Sequence, residues 1–184
     1  SSLVSEWAHL HQGEVAWFSV EETDNHPFTF WQYFMAAIQS VFPKFLSPVN
    51  FNKPELPQSD IHKSIVHMIN KMAGVTRNLV IILDDLHHVT NPAILTELKF
   101  LAEHLPAAMK MVITSHQEPD WPLAKLRAKG ALTEIRVDEL EFSTSETCEL
   151  LHLMNLPDFS EQDTVEIINM PSIITFNLII NNAH

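Results

Sequence analysis

The chain has 184 residues, 46% of them hydrophobic, enough for one domain with a real core and too apolar for a disordered tail. Eleven Lys and Arg stand against 23 Asp and Glu, a formal charge of -12 that opposes the phosphate contacts on which nucleic-acid affinity rests, so direct DNA contact by this segment is not expected. The single cysteine, Cys148, excludes an internal disulfide framework, no apolar run is long enough to span a bilayer, and the first residues lack a signal-peptide pattern. A cytoplasmic location without membrane contact is the expectation.

In chain order, Leu3, Val4, Trp7 and Leu10 recur at helical spacing, which predicts an amphipathic helix already under way at the first residues. Glu14 to Val20, rich in β-branched and aromatic residues, predicts a strand. Asp24 or Asn25 then offers a cap, Pro27 a first turn, and Phe28, Trp31, Phe34, Met35 and Ile38 one apolar helix face. That aromatic stripe reads as core rather than as a base-stacking platform. Pro43, Pro48, Pro54 and Pro57 mark an extended connection, after which Ile61, Ile65, Met68, Ile69 and Met72 resume the helical period. "NLVIILDD" predicts a buried strand, Asn91 and Pro92 announce a helix carrying Ile94, Leu95, Leu98, Leu101 and Leu105 inward, and "MKMVITS" is a further strand. "PLAKLRAKG" predicts a short helix stopped by Gly130, "ALTEIRV" a strand, and Ser143 with Glu146 a capping box before Leu150, Leu151 and Leu153. Strands separated by helices imply parallel pairing and an α/β sheet flanked by helices, and an unbroken "LVIIL" fits a strand covered on both faces.

The buried strand ends on two carboxylates, Asp84 and Asp85. Ligands of open α/β sheets collect at the carboxyl ends of the strands. An apolar strand ending in acid is the Walker B pattern of P-loop nucleotide hydrolases, in which the first carboxylate holds Mg²⁺ and the next acid orients attacking water. On this stretch alone a second reading stays open, a pair that caps or turns the following loop. The preceding phosphate loop, G-x-x-x-x-G-K-[ST], is not found: Gly13, Gly74 and Gly130 are the only glycines and none precedes Lys and Ser or Thr. Ser1 and Ser2, followed directly by the first helix, match what remains of such a loop cut just after its lysine.

Several stretches together resemble the signal-transduction ATPase domains of MalT-like, LuxR-type bacterial transcription regulators. "SSLVSEWA" looks like the continuation of their Gly-Lys loop, and "VAWFSVEETDNHPFTFWQYFMAAI" like their first strand, acidic loop and aromatic helix. "LVIILDDLHHVTNPAILTELKFLAEHLP" is similar to their Walker B strand and following helix, and "MKMVITSHQEPDWPLAKLRAKGALTEIRVDELEFSTSET" to their sensor strand and the run that closes the nucleotide-binding core. The resemblance covers Ser1 to Leu151. It implies a P-loop NTPase-like core over residues 1–142, lacking its phosphate-binding loop, and a helical extension over 143–184 that begins a truncated second domain. It further implies ATP and Mg²⁺ as cofactors, Ser1 and Asp84 as metal ligands, Ser1, Ser2 and His116 on the nucleotide, and Asp85 as the catalytic acid. The intact family is ATPase; this chain by itself is expected to be inactive. Relatives carry arginine at the position of His116, where it senses the terminal phosphate, and histidine is shorter and mostly neutral at neutral pH. Partners implied are downstream regulatory and DNA-binding domains of the parent protein. The tail "IINMPSIITFNLIINNAH" departs from the family pattern, and its apolar residues, lacking their usual partner, would favour self-association.

Eleven histidines invite a metal reading, but His9 and His11 are two apart and His62 and His67 five apart, so neither pair shares a helix face, and solvated or hydrogen-bonded histidines are preferred to a zinc site. His87 and His88 fall in the loop after the acids, where the resemblance gives His87 a loop-stabilising role. Lys125, Arg127 and Lys129 read as a solvated face, with Arg127 the residue to test against a neighbouring domain. No G-x-S-x-G elbow surrounds any serine, and a two-metal nuclease needs further acids that are not identifiable. Two function readings remain: a nucleotide-binding switch core, and a degenerate or truncated domain that acts only as a folded interaction module.

Overall fold

The computed structural model describes residues 2–11, 14–43, 58–117, 121, 123–135, 145 and 176–180. Its strands are β1 (Val15–Ser19), β2 (Leu79–Asp84), β3 (Met109–Ser115), β4 (Leu132–Ile135) and β5 (Phe176–Ile180), and its helices α1 (Ser2–Leu10), α2 (Pro27–Val41), α3 (Gln58–Met72), α4 (Pro92–Glu103) and α5 (Ala124–Ala128). The five strands form one sheet in the order β1-β2-β3-β5-β4. β1, β2 and β3 run parallel, with Ser19 beside Asp84 and Leu83 beside Ile113, so the carboxyl ends of all three lie at one edge. The α/β class expected from the alternation of strands and helices is the observed one.

Side chains alternate across a strand, and β2 is buried at every position because both of its faces are covered. Leu79, Ile81 and Leu83 enter the main core with Met109, Met111 and Ile113 of β3, Phe30, Trp31, Phe34 and Ile38 of α2, Ile61, Ile65 and Met68 of α3, and Ile94, Leu98 and Leu101 of α4. Val80 and Ile82 face the other way and meet Val112, with Val4 and Ala8 of α1 packed against them. The inward side of α1 is therefore the Val4 and Ala8 stripe. Trp7 and Leu10, expected inside, are exposed, and Trp7 instead stacks on His11.

Local signals account for most element ends. Asn91 accepts from the Ala93 amide at 2.9 Å and Pro92 opens α4, as the sequence predicts. At α2 the cap position is His26, with no side-chain cap bond; Asp24 accepts from the Glu21 amide instead, and Asn25 is drawn away to the loop after β2. Gly130, at φ 65°, closes α5 by a Schellman arrangement in which its own amide donates to Arg127 and the Ala131 amide to Leu126. Arg127, considered above for contact with a neighbouring domain, makes a two-pronged pair with Glu134 of β4 at 2.6 and 2.7 Å.

The largest departure from expectation is β5. Residues 176–180 belong to the stretch read as a helical extension with unpartnered apolar residues, yet they form a strand lying antiparallel between β3 and β4. The alternation of Phe176, Leu178 and Ile180 with Asn177 carries the period of a strand, and the hydrogen-bonding edge of β3 supplies the partner. The remainder of 143–184, including the Ser143 capping box and Cys148, lies outside the described residues apart from Ser145. Ile180 is fully buried, opposite Met111 on one side and Leu132 on the other. Ile180→Ala is expected to lower the unfolding free energy by about 2 to 4 kcal/mol in denaturant titration, in the range for a buried isoleucine truncated to alanine; a dispensable tail would show no change.

Candidate functional site at the carboxyl edge of the sheet

The edge formed by Ser19, Asp84 and Ser115 is organised by a threonine that the sequence reading did not single out. Thr114, fully buried near the end of β3, donates its hydroxyl to Asp84 Oδ1 at 2.5 Å and accepts the Asp85 amide at 3.0 Å. One hydroxyl thus uses its donor and an acceptor lone pair to fix the carboxylate that ends β2 and the backbone that leaves it. Ser19 donates to Asp84 Oδ2 at 3.5 Å and itself receives the Trp17 indole N–H at 3.1 Å. Asp84 is consequently a buried carboxylate whose position is set from both neighbouring strands, with 6% of its surface exposed.

Asp85 differs from Asp84 in every respect that matters for chemistry. Its backbone sits at φ 59°, ψ 42°, the left-handed region, and it is the one non-glycine residue with positive φ among the described residues. Aspartate tolerates this conformation better than most side chains, and the reversal swings the chain from β2 directly into a short 3₁₀ turn over Leu86–His88. The Asp85 side chain is 42% exposed, and its Oδ1 lies 3.9 Å from His87 Nδ1 and 3.8 Å from His116 Nε2. The His87 ring packs at 4.1 Å from His88 and edge-on at 4.3 Å from His116. The doublet therefore divides into one carboxylate locked inward and one presented outward among imidazoles.

Neighbouring loops brace this edge. Asn25 Oδ1 accepts the amides of Thr90 at 3.0 Å and Asn91 at 2.8 Å, and Asn25 Nδ2 donates to Thr90 Oγ1, tying the loop after β1 to the loop after β2. Beside Ser19, a groove of about 410 Å³ is lined by Trp17, Glu21, Thr23, Asp24 and Tyr33.

Among the residues singled out from sequence, Asp84, Asp85 and His116 converge on this edge. Ser2 is the first residue of α1, its side chain outside the description, and Ser1 lies outside the described residues. Thr114 was missed, although a polar residue inside the apolar run "MKMVITS" is a local inconsistency of the kind that marks a site, and Ser19 was weighed only as a nucleophile, not as a support for Asp84. The approach of His87 to His116 was also missed, because 29 residues separate them in the chain and only the β2 to β3 pairing brings them together.

The chain is similar to proteins named HTH-type transcriptional regulator MalT. That of Cronobacter sakazakii is 29% identical over 146 residues, which is 79% of this chain and 16% of the relative. Two from strains of Klebsiella pneumoniae are 28% identical over the same length and the same shares. No protein-family model matches the chain. A MalT-like relationship is thus supported, and it concerns a minor portion of those regulators. Among the described residues no helix is long and apolar enough to cross a membrane.

Burial holds the His87 pKa below its usual 6.5, the positive forms of His88 and His116 push it in the same direction, and Asp85 and Asp84 oppose them. A lowered folded-state value means that the unfolded chain takes up this proton first as pH falls. The stability contributed by neutral His87 is complete above its ordinary value and diminishes as pH drops through it. Denaturation midpoints measured between about pH 7.5 and 5.5 should therefore fall, and His87→Gln should reduce that fall; an identical pH slope in the two proteins would contradict this assignment.

Proposed function

We propose that this domain is the nucleotide-binding switch core of a MalT-like transcription regulator, with Mg·ATP meeting the protein at the Asp84 and Asp85 edge. The observation that carries the reading is the position of Asp84: a buried carboxylate ending the central strand of the parallel run, held by Thr114 and Ser19. The MalT-like relationship over 146 residues adds support, since those relatives are named as transcriptional regulators.

The donor set suits a hard divalent cation. A carboxylate offers about four lone-pair sites and a hydroxyl neighbour supplies another oxygen, the ligand type that Mg²⁺ takes together with substrate phosphates. When bound, Mg²⁺ would neutralise negative charge on the phosphates. Asp84 would hold the cation, while Asp85, outward and within reach of solvent, would orient water. His116 borders Asp85; in this reading it would take the phosphate-sensing position, and Ser1 and Ser2 would meet the nucleotide. Val4 and Ala8 lay α1 on the second face of the sheet, and only four residues join α1 to β1, an arrangement that suits a first helix running back from the carboxyl edge. None of the 184 residues forms a Gly-Lys phosphate loop, so this reading assigns that grip to residues outside them. Regulatory and DNA-binding parts of the parent would be the partners, in the cytoplasm.

A second reading is favoured by the contact of His116 with Asp85: an imidazole is shorter than a guanidinium and lacks its fixed charge, and one turned toward an acid is poorly placed to meet a phosphate. In that reading the domain folds and packs against partners without turnover. Calorimetric titration with Mg·ATP separates the two. The 184-residue chain is expected to show no binding, a longer gene product that supplies a Gly-Lys loop is expected to bind, and Asp84→Asn should weaken that binding at least about tenfold. Absence of binding by the longer product would favour the interaction module, and equal binding by both would mean that the phosphate site lies elsewhere.

A further inference from the structure

Asp85, His87 and His116 bring three ligand atoms within 4.8 Å of one another, and they form the one such group found among the described residues. The three do not hydrogen-bond to each other. At 3.8 and 3.9 Å the imidazole to carboxylate separations exceed the roughly 2.7 to 2.9 Å of a charge-assisted hydrogen bond. His87 Nδ1, the atom that faces Asp85, is buried and has no hydrogen-bond partner. Buried polar atoms are ordinarily satisfied, and an orphaned imidazole nitrogen facing a carboxylate calls for an explanation.

We infer that Asp85, His87 and His116 are a binding site for a divalent transition metal of the zinc, cobalt and nickel class, separate from the Asp84 carboxylate. Two imidazole nitrogens and one carboxylate oxygen are a borderline donor set that suits these ions and not Mg²⁺, which prefers oxygen throughout. Bonds of about 2.0 to 2.2 Å in tetrahedral array put ligand atoms about 3.4 Å apart, so the measured edges at Asp85 need to close by about half an ångström. The His87 and His116 ligand atoms lie within 4.8 Å and must also draw together; Asp85 and His116, 42% and 35% exposed, are the more accessible members and His87, at 18%, the most buried. Three protein ligands leave a fourth position open to water or another small ligand. The site joins the turn after β2 to the end of β3, so its occupancy would hold Asp85 in one orientation. It does not rest on the nucleotide reading, since neither Asp84 nor a phosphate takes part, but it draws on Asp85 and His116, which that reading also uses, so a metal here would occupy both.

The test is titration of the untagged 184-residue chain with Zn²⁺ by calorimetry and with Co²⁺ by absorption, in excess Mg²⁺. The expected result is one equivalent bound, a cobalt spectrum of low coordination number, and at least about tenfold weaker binding in His116→Ala and in Asp85→Asn, with His104→Ala unchanged. His116 is partly exposed, so its variant keeps the test decisive even where His87→Ala fails to fold. Failure to bind, or binding weakened less than threefold by His116→Ala, overturns the assignment.

Discussion

The site depends on a single hydroxyl. Thr114 stands between the carboxylate that ends the central strand and the amide of the residue that turns away from it, and it bonds both. Without a donor there, Asp84 would be a buried polar group lacking one of its hydrogen bonds, and the Asp85 amide would lose its acceptor; both situations are costly in a low-dielectric interior. The register of β2 on β3 makes the contact possible, since Leu83 lies beside Ile113 and the next residues of each strand are Asp84 and Thr114. Packing of the "LVIIL" run thus determines where the acids stand, and the hydroxyl determines how they are oriented.

The two acids are adjacent in sequence and opposite in environment. Asp84 is fixed from β1 and β3 by hydroxyl donors, which hold its carboxylate in one orientation. Asp85 leaves the sheet through a left-handed backbone conformation, and its carboxylate stands among His87 and His116. Residues held in sparsely populated backbone regions persist where surroundings over-determine them, and here the Thr114 bond to the Asp85 amide is one such restraint. This division of labour is compatible with a cation at the first acid and water or a second metal at the other.

Much of the fold was legible in the sequence because burial leaves a period. The helix faces of α2, α3 and α4, the fully buried β2 and the Asn91 cap follow from spacing and capping chemistry alone. α1 was misjudged because Val4, Trp7 and Leu10 are large and apolar, while the contact is made by Val4 and the small Ala8. β5 was missed because its membership depends on pairing with the edge of β3, a long-range property that local pattern does not carry. The acids were legible as a strand end. Their supports were not: Ser19 reaches Asp84 from 65 residues away and Thr114 from 30. Nor was the grouping of Asp85 with His87 and His116, which the sheet assembles across β2 and β3.

The Thr114 hydroxyl, not its bulk, holds the acidic edge together. Equilibrium denaturation of Thr114→Val and Thr114→Ser at neutral pH tests it most directly, because valine keeps the shape and removes the hydroxyl while serine keeps the hydroxyl and removes a methyl group. Valine is expected to destabilise by about 1 to 3 kcal/mol, the penalty for leaving buried polar partners unsatisfied, and serine to retain more of the stability than valine does. A valine variant as stable as the wild type, or more stable than the serine variant, would contradict it.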